Sequence, residues 1–243
     1  MRGLIGIWRL LRLTLHVLHG LAIVQLRFGA YTPAQRQARV GWWSGKMLRL
    51  LGITLRSEGL PRPGAKLLVA NHVSWLDIAA VHAVLPEARF VSKADVKHWP
   101  LVGTLVTAVG TLYIERASKR DALRVVHQCA EALRAGDTIA FFPEGTTGPG
   151  PALLPFHGNL LQAAIATELP VQPLVLRWHE PGQRYSRSAQ FIGDTTLLQS
   201  IWRVVTARGL AIELQILPAH ATAHADRRLL AEHLRELIAA KLS

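Results

Sequence analysis

Apolar residues follow helical spacing at the start of the chain and form short runs, strand-like in length, after about residue 64. The first pattern predicts two helices, about Leu4–Arg27 and Pro33–Leu51, arranged as a hairpin. The segment Gly59–Gly64 is rich in glycine and proline, which marks a turn between structural units. We therefore expect an N-terminal helical segment, 1–58, followed by a folded domain, 59–243.

In the second segment, apolar runs alternate with helical patterns. This alternation predicts a single α/β domain with a mostly parallel central sheet flanked by helices. The predicted strands are Lys66–Ala70, Arg89–Ser92, Thr111–Ile114, Thr138–Phe142, Val171–Trp178, Gln190–Ile192 and Ala211–Leu217. The predicted helices are Trp75–Val84, Lys119–Ala135, Asn159–Thr167, Leu197–Arg208 and Asp226–Leu242.

The charge pattern of the N-terminal segment indicates an anionic partner. The chain carries a formal net charge of +12, and nine lysines and arginines precede its first acidic residue, Glu58. Leucine, isoleucine, valine and tryptophan lie between these cations, a pattern that favours an anionic membrane surface over nucleic acid. The 14-residue uncharged run between Arg12 and Arg27 is too short to cross a bilayer without tilting. An amphipathic helix that only covers the domain is the alternative.

Neither a disulfide nor a metal site is expected. Cys129 is the single cysteine, and its helical surroundings predict a buried apolar position. His220, His224 and His233 have suggestive spacing, but they fall on a polar helix beside arginines, so we predict that they are solvated. We expect no cofactor.

Three polar or glycine-bearing segments each follow a predicted strand: Asn71–Asp77, Glu115-Arg116 and Pro143–Gly150. Sites in open α/β sheets lie beyond the carboxyl ends of the strands. The three segments therefore predict one shared site.

The first segment contains a histidine and an aspartate five positions apart. With Ser74 as a helix N-cap, Asp77 becomes the third helical residue, and His72 lies on the loop just before it. His72 can then fold back towards the carboxylate, which is the arrangement of a general base with an orienting acid. A helix cap beside a buried structural histidine is the alternative.

Four blocks, spread over about Leu67–Trp178, resemble the glycerolipid acyltransferase family, and within it the bacterial 1-acyl-glycerol-3-phosphate acyltransferases. They are Asn71-His72-Val73-Ser74-Trp75-Leu76-Asp77, Gly110-Thr111-Leu112-Tyr113-Ile114-Glu115-Arg116, Phe142-Pro143-Glu144-Gly145-Thr146-Thr147 and Leu169-Pro170-Val171-Gln172-Pro173-Leu174. Their order makes the resemblance specific, whereas one block alone would be weak.

The resemblance implies that His72 and Asp77 are the catalytic pair and that Lys93 and Arg116 hold the phosphate of a lysophospholipid acceptor. It also implies an acyl donor carried on acyl carrier protein or coenzyme A, and a location on the cytoplasmic face of the bacterial inner membrane. Residues 59–243 would be the catalytic domain. The acceptor pocket would be shaped by Glu144, Gly145 and Thr146.

Two departures from the family pattern leave other readings open. Glu115 replaces the usual aspartate, and the stretch Leu154–Asn159 lacks the lysine that commonly follows the third block. A different acceptor, such as a lyso-ornithine lipid, is therefore an alternative. A thioesterase that activates water and a non-catalytic anion-binding protein that acts on nucleic acid are less favoured, because neither explains all the segments.

Overall fold

The computed structural model describes residues 2–114 and 119–243, and it begins with two packed helices. Helix α1 covers Arg2–Leu26 and helix α2 covers Pro33–Leu51, so the predicted hairpin is confirmed. Thr32 caps α2 through a reciprocal pair of hydrogen bonds with Gln35, and Gly52 ends it with a φ of 76°.

The described part of the domain contains a seven-stranded sheet in the order β1-β7-β6-β2-β5-β3-β4. Neighbouring strands are parallel except for β6 and β7, which confirms the predicted mostly parallel α/β sheet. The strands are β1 (Thr54–Glu58), β2 (Lys66–Ala70), β3 (Ala88–Lys93), β4 (Leu112–Ile114), β5 (Thr138–Phe141), β6 (Val171–His179) and β7 (Ala211–Ile216). The remaining helices are α3 (Leu76–Val84), α4 (Val102–Ala108), α5 (Lys119–Arg134), α6 (Leu161–Thr167), α7 (Leu197–Thr206) and α8 (Arg227–Leu242).

The structure differs from the predicted elements in three places. The predicted strand Gln190–Ile192 is wrong, because these residues lie in the loop between β6 and α7 and bind other loops instead of a strand. Strand β1 was not predicted; it precedes residue 59 but pairs with β7, so the last residues of segment 1–58 belong to the sheet. Helix α4 was also missed, because its seven residues show little periodicity.

The central strand β2 is buried on both faces, as expected for a parallel sheet covered by helices on each side. Leu67 and Val69 face one apolar cluster, which also contains Leu133 of α5 and Leu234 of α8. Leu68 and Ala70 face the other, which is built from α2, α3, β6 and β7. The end of β2 is thus held firmly at the centre of the molecule.

Helix α1 is fastened to the domain on one side and exposes apolar residues on the other. The Nη1 atom of Arg9 donates to the carbonyl oxygens of Val205 and Ala207 at 3.1 and 2.7 Å. Of the described helices, α1 alone is long and apolar enough to cross a membrane, judged by length and composition. Its outward leucines, isoleucines and tryptophan, which are between 48% and 80% exposed, are Leu4, Ile7, Trp8, Leu11, Leu15, Leu18 and Leu26.

Candidate active site

His72 and Asp77 meet at the carboxyl end of β2. The Nδ1 atom of His72 lies 2.8 Å from Oδ2 of Asp77. Asp77 is completely buried, whereas 18% of the His72 side chain is exposed. The carboxylate is therefore shielded from solvent, whereas the imidazole is partly accessible to it.

Hydrogen bonds within the segment Asn71–Asp77 bring the two residues together. Helix α3 begins at Leu76, one residue later than predicted, but the hydroxyl of Ser74 accepts from the amide of Leu76 at 3.3 Å, so Ser74 makes the predicted side-chain contact with the first turn. Oδ2 of Asp77 accepts hydrogen bonds from the backbone amides of Val73 and Ser74, at 2.7 and 2.9 Å. The loop is wrapped around the carboxylate, and this wrapping directs the ring of His72 towards it.

A fourth donor reaches Asp77 from across the sheet. The Nε1 atom of Trp178, near the end of β6, donates to Oδ1 at 2.6 Å. The two backbone amides and the indole N–H can only donate, so the carboxylate oxygens accept from all three. With a proton on Nδ1 directed at Oδ2, the imidazole keeps the lone pair on Nε2 that a general base needs.

Phe142 supports the other face of the imidazole. Its ring stacks on that of His72 with centroids 3.9 Å apart and an interplanar angle of 6°. Phe90 packs behind Phe142 at 5.4 Å. Because Phe142 directly follows β5 and Phe90 belongs to β3, the imidazole rests on side chains from two further strands.

Glu144 joins the loop after β5 to the loop after β2. Its Oε1 accepts from the amide of His72 at 2.7 Å, and its Oε2 accepts from the amide of Leu154 at 2.9 Å. Burial raises the pKa of Glu144, while these two amide hydrogen bonds oppose the rise. Glu144 is only 4% exposed, and both of its carboxylate oxygens support the backbone behind His72.

Gly148 completes this support from the same loop. Its amide donates to the carbonyl oxygen of His72 at 2.7 Å. A Cβ atom at this position would lie 2.9 Å from Oε2 of Glu144, closer than side chains tolerate. Glycine is therefore needed here for the close approach of the two loops.

Asn71 fastens the start of the His72 loop to β6. Its Nδ2 donates to the carbonyl oxygen of Leu176 at 2.9 Å, and its Oδ1 accepts from the amide of Leu176 at 2.8 Å. The side chain is completely buried. Both polar groups of one β6 residue are thus satisfied by a single amide side chain.

The remaining predicted site residues are distributed along the same edge of the sheet. Lys93 is exposed at the carboxyl end of β3, where it is in register with Ile114 of β4. Gly145 has a φ of 71° and lies in a turn closed by its amide and the carbonyl of Phe142, and Thr146 is exposed. Arg116, together with Glu115, lies outside the described residues.

Sequence reasoning missed the supporting roles of Trp178, Asn71, Phe142 and Gly148. Three of these are within or beside the motif blocks, where the pattern of buried and polar types was visible but not their contacts. For Trp178 the sequence offered one signal. A tryptophan at the end of an apolar strand is expected to be buried, and a buried indole N–H usually has a hydrogen-bond partner.

The described residues contain no group of three or more histidine, cysteine, aspartate or glutamate side chains placed to hold a metal ion. The rings of His220 and His233 contact each other edge to face, 5.2 Å apart.

The chain is similar in sequence to known acyltransferases. The Acyltransferase family model matches residues 52–177. The chain is 35% identical over 210 residues to a lyso-ornithine lipid O-acyltransferase of Pseudomonas aeruginosa, covering 86% of this chain and 80% of that protein. It is 34% identical over 215 residues to a 1-acyl-sn-glycerol-3-phosphate acyltransferase of Neisseria gonorrhoeae, covering 87% and 83%.

A solved structure has the same fold. The 1-acyl-sn-glycerophosphate acyltransferase PlsC from Thermotoga maritima superimposes with a TM-score of 0.75 at 18% identity, covering 100% of this chain and 96% of the other. The fold is thus shared with a solved acyltransferase, and the family model and the two relatives at about 35% identity show similarity in sequence as well. The chain belongs to the acyltransferase family.

Proposed function

We propose that the enzyme transfers a fatty acyl group from a thioester donor to the free hydroxyl of 1-acyl-glycerol-3-phosphate, forming phosphatidic acid. The observation that carries the proposal is the pairing of His72 with Asp77, 2.8 Å apart, at the edge of the sheet where Lys93 also ends its strand. The acyl donor would be a fatty acyl thioester of acyl carrier protein or of coenzyme A, and no cofactor would be needed.

In this mechanism the Nε2 atom of His72 accepts the proton of the acceptor hydroxyl as its oxygen attacks the thioester carbonyl carbon. A tetrahedral oxyanion forms, and its collapse breaks the carbon–sulfur bond. The departing sulfur takes the proton back from the imidazolium, so His72 returns to its starting state. Asp77 keeps the ring in the correct tautomer and stabilises its transient positive charge.

Transfer would be direct, without an acyl-enzyme. Cys129 is completely buried, and burial raises the pKa of its thiol to about 12, which leaves almost no thiolate near neutral pH. Ser74 is completely buried as well, and its hydroxyl accepts a hydrogen bond from the amide of Leu76. Neither side chain is placed to carry an acyl group.

The phosphate of the acceptor would be held by Lys93 and Arg116. Lysine supplies a point charge and arginine a fork that binds two phosphate oxygens. The turn at Gly145 and the exposed Thr146 would border the acceptor, while Glu144 supports the loop beneath His72.

A lyso-ornithine lipid is the second candidate acceptor. The relative from Pseudomonas aeruginosa, 35% identical over 86% of this chain, is named for that acceptor. In addition, Phe156-His157-Gly158 has histidine where the family resemblance leads us to expect lysine. One cationic contact to phosphate would then be absent.

The enzyme would work at the cytoplasmic face of the bacterial inner membrane, where its thioester donors are made. The exposed apolar residues of α1 and the cations among them suit an anionic lipid surface. Arg12 lies over the ring of Trp8, and Arg39 and Lys46 lie over that of Trp42, pairs typical of a membrane interface.

A transfer assay with the purified full-length chain tests the proposal. Both thioester donors would be offered with lysophosphatidate, lyso-ornithine lipid or water as acceptor, and lipid products would be separated and measured. We expect transfer to lysophosphatidate to exceed the other two. His72→Ala should lower turnover roughly 10²- to 10⁴-fold, the contribution of a general base.

His127→Ala, at an exposed position on α5, is the matched control and should retain activity. Near-normal turnover of His72→Ala would remove His72 from its role. Thioester hydrolysis that ignores added lysolipid would identify a thioesterase, and an acyl-enzyme that accumulates without acceptor would exclude direct transfer.

A further inference from the structure

The loop between β6 and α7, residues 180–196, lies directly against the catalytic loop. The amide of Phe191 donates to the carbonyl oxygen of Val73 at 3.1 Å, and the hydroxyl of Thr147 donates to the carbonyl oxygen of Phe191. The side chain of Gln190 donates to the carbonyl oxygen of Pro149 at 2.6 Å. The part of this loop that contains Gln190 and Phe191 is therefore joined to the segment that carries His72.

Internal hydrogen bonds keep the loop in a defined shape. Glu180 and Gln183 exchange two backbone hydrogen bonds, at 3.0 and 2.8 Å. The carboxylate of Glu180 accepts from the Ser186 hydroxyl at 2.5 Å, and the same hydroxyl accepts from the amide of Ala189 at 3.1 Å. The surface that the loop presents is therefore preorganised, which reduces the entropy cost of binding a partner.

Two basic grooves flank this loop and share Gln183. The first has a volume of about 510 Å³ and the second about 490 Å³. The first is lined by Pro151, Gln183, Arg184, Tyr185, Arg187 and Gln190. The second extends to α7 and the start of α1, and its cations are Arg2, Arg203 and Arg208.

Most of this positive charge is not neutralised by the protein. Glu180 is the single acidic residue in the two linings, and its carboxylate already binds Ser186. Within residues 2–114 and 119–243, no ion pair involves Arg187, Arg203 or Arg208, and all three are exposed. Arg184 differs, because it binds the carbonyl oxygens of Leu242 and Ser243.

We propose that the surface formed by Arg187, Arg203 and Arg208 docks an acidic carrier protein that delivers the acyl thioester to His72. The inference rests on the proposed function and specifies its donor. Cations spread along two open grooves complement an acidic protein face, whereas the clustered phosphates of a nucleotide carrier would be matched by converging cations. Such complementarity steers encounter and raises association rates, by roughly 10- to 10³-fold in favourable cases.

The test compares two triple charge reversals in the full-length enzyme. Arg187→Glu/Arg203→Glu/Arg208→Glu removes the proposed surface. Arg62→Glu/Arg134→Glu/Arg228→Glu makes the same change in net charge at exposed positions on other elements. Each is assayed with acyl carrier protein and coenzyme A thioesters of the same acyl chain, and binding of the free carrier protein is followed by titration.

We expect the first variant to raise KM for the carrier-protein donor at least 10-fold while its kcat/KM for the coenzyme A donor changes less than 3-fold. The control variant should change neither value by more than 3-fold. Added salt should raise the KM of the wild-type enzyme for the carrier-protein donor. It should change the KM of the first variant for that donor very little.

The remaining outcomes overturn the inference in distinguishable ways. The surface is not a carrier-protein docking site if the wild-type enzyme uses only the coenzyme A donor. The same conclusion holds if the activity of the first variant falls equally with both donors. In either case the proposed function stands. Loss of binding to anionic vesicles by the first variant, with unchanged use of both donors, would assign the arginines to the membrane. If wild type transfers from neither donor, the proposed function fails and the docking inference fails with it.

Discussion

Trp178 and Asp77 are 101 positions apart in sequence, yet the indole nitrogen of one lies 2.6 Å from a carboxylate oxygen of the other. This contact orients the carboxylate so that its second oxygen faces His72. Trp178→Phe removes the donor and keeps an aromatic ring. We expect kcat to fall about 10-fold, equivalent to about 1.4 kcal/mol, with KM nearly unchanged.

Steady-state kinetics check this prediction, and the NMR signal of the His72 Nδ1 proton reports the geometry of the pair. The signal should shift in Trp178→Phe because the carboxylate is less constrained. Trp202→Phe, at an exposed position on α7, provides the control. An unchanged kcat with an unchanged proton signal would show that Trp178 serves packing alone.

Gly148→Ala should damage the support beneath His72. The new methyl group would lie 2.9 Å from Oε2 of Glu144. Oε2 accepts from the amide of Leu154 and Oε1 from the amide of His72, so the carboxylate cannot move away without weakening one of these hydrogen bonds. We expect a loss of about 1–3 kcal/mol in unfolding free energy and a drop in turnover of at least 10-fold. Denaturant unfolding and the transfer assay measure the two effects.

Gly29→Ala is the comparison for this substitution, because an added Cβ there has no heavy atom within 4 Å. It should change neither stability nor turnover appreciably. Equal effects of the two substitutions would refute the argument from close approach.

His82 should make the free energy of unfolding decrease at acidic pH. Burial lowers its pKa to about 4, and its Nε2 donates to the carbonyl oxygen of Ala88 at 2.9 Å. The folded state therefore binds fewer protons than the unfolded state, whose histidine titrates near 6.5. Stability is full above about pH 6.5 and declines as pH falls towards 4, by about 3 kcal/mol at pH 4.

Urea unfolding measured at intervals between pH 7 and pH 4 checks this slope. His82→Gln keeps a donor for Ala88 but cannot be protonated in this range, so it should flatten the pH dependence. His127→Gln on the exposed face of α5 should leave the slope of the wild type intact. A His82→Gln variant with the wild-type slope would assign the acid sensitivity to other groups.

The outward face of α1 should determine membrane binding. Trp8, Leu11 and Leu15 are 58%, 50% and 58% exposed. Burial of each such side chain in lipid contributes about 1.5–3 kcal/mol, so replacing all three with serine should lower binding to anionic vesicles by more than 10-fold. Flotation of the full-length chain with vesicles measures the effect.

A triple serine variant at Leu60, Leu123 and Leu229 removes exposed leucines from other elements. This control should bind vesicles as the wild type does. If both variants bind equally well, α1 is not the contact with lipid.

Much of the fold was predictable because its strongest signals are local. The short apolar run Lys66–Ala70 indicated a strand, and the alternation of strands with helices indicated a mostly parallel sheet. The meeting of His72 with Asp77 followed from their separation by one loop and half a helical turn. Local patterns failed where contacts are distant, as for β1, whose partner β7 lies more than 150 residues later.

The support of the site depends on contacts that a linear pattern does not encode. Glu144 follows a strand in a glycine-bearing turn, a context equally consistent with a ligand-facing carboxylate. Only the packed structure shows that both of its oxygens accept backbone amides from His72 and Leu154. The sequence identified the segment that carries Glu144, while its orientation required the neighbouring strands.

Asn71 acts as a side-chain replacement for a peptide group. Its carboxamide supplies Leu176 of β6 with both a donor and an acceptor just beyond the end of β2, so the main chain is free to turn out of the sheet at His72. The point at which strand becomes catalytic loop is thereby encoded by one carboxamide. An aspartate of the same shape would set an oxygen against the Leu176 carbonyl, and the strand would no longer end at the residue before His72.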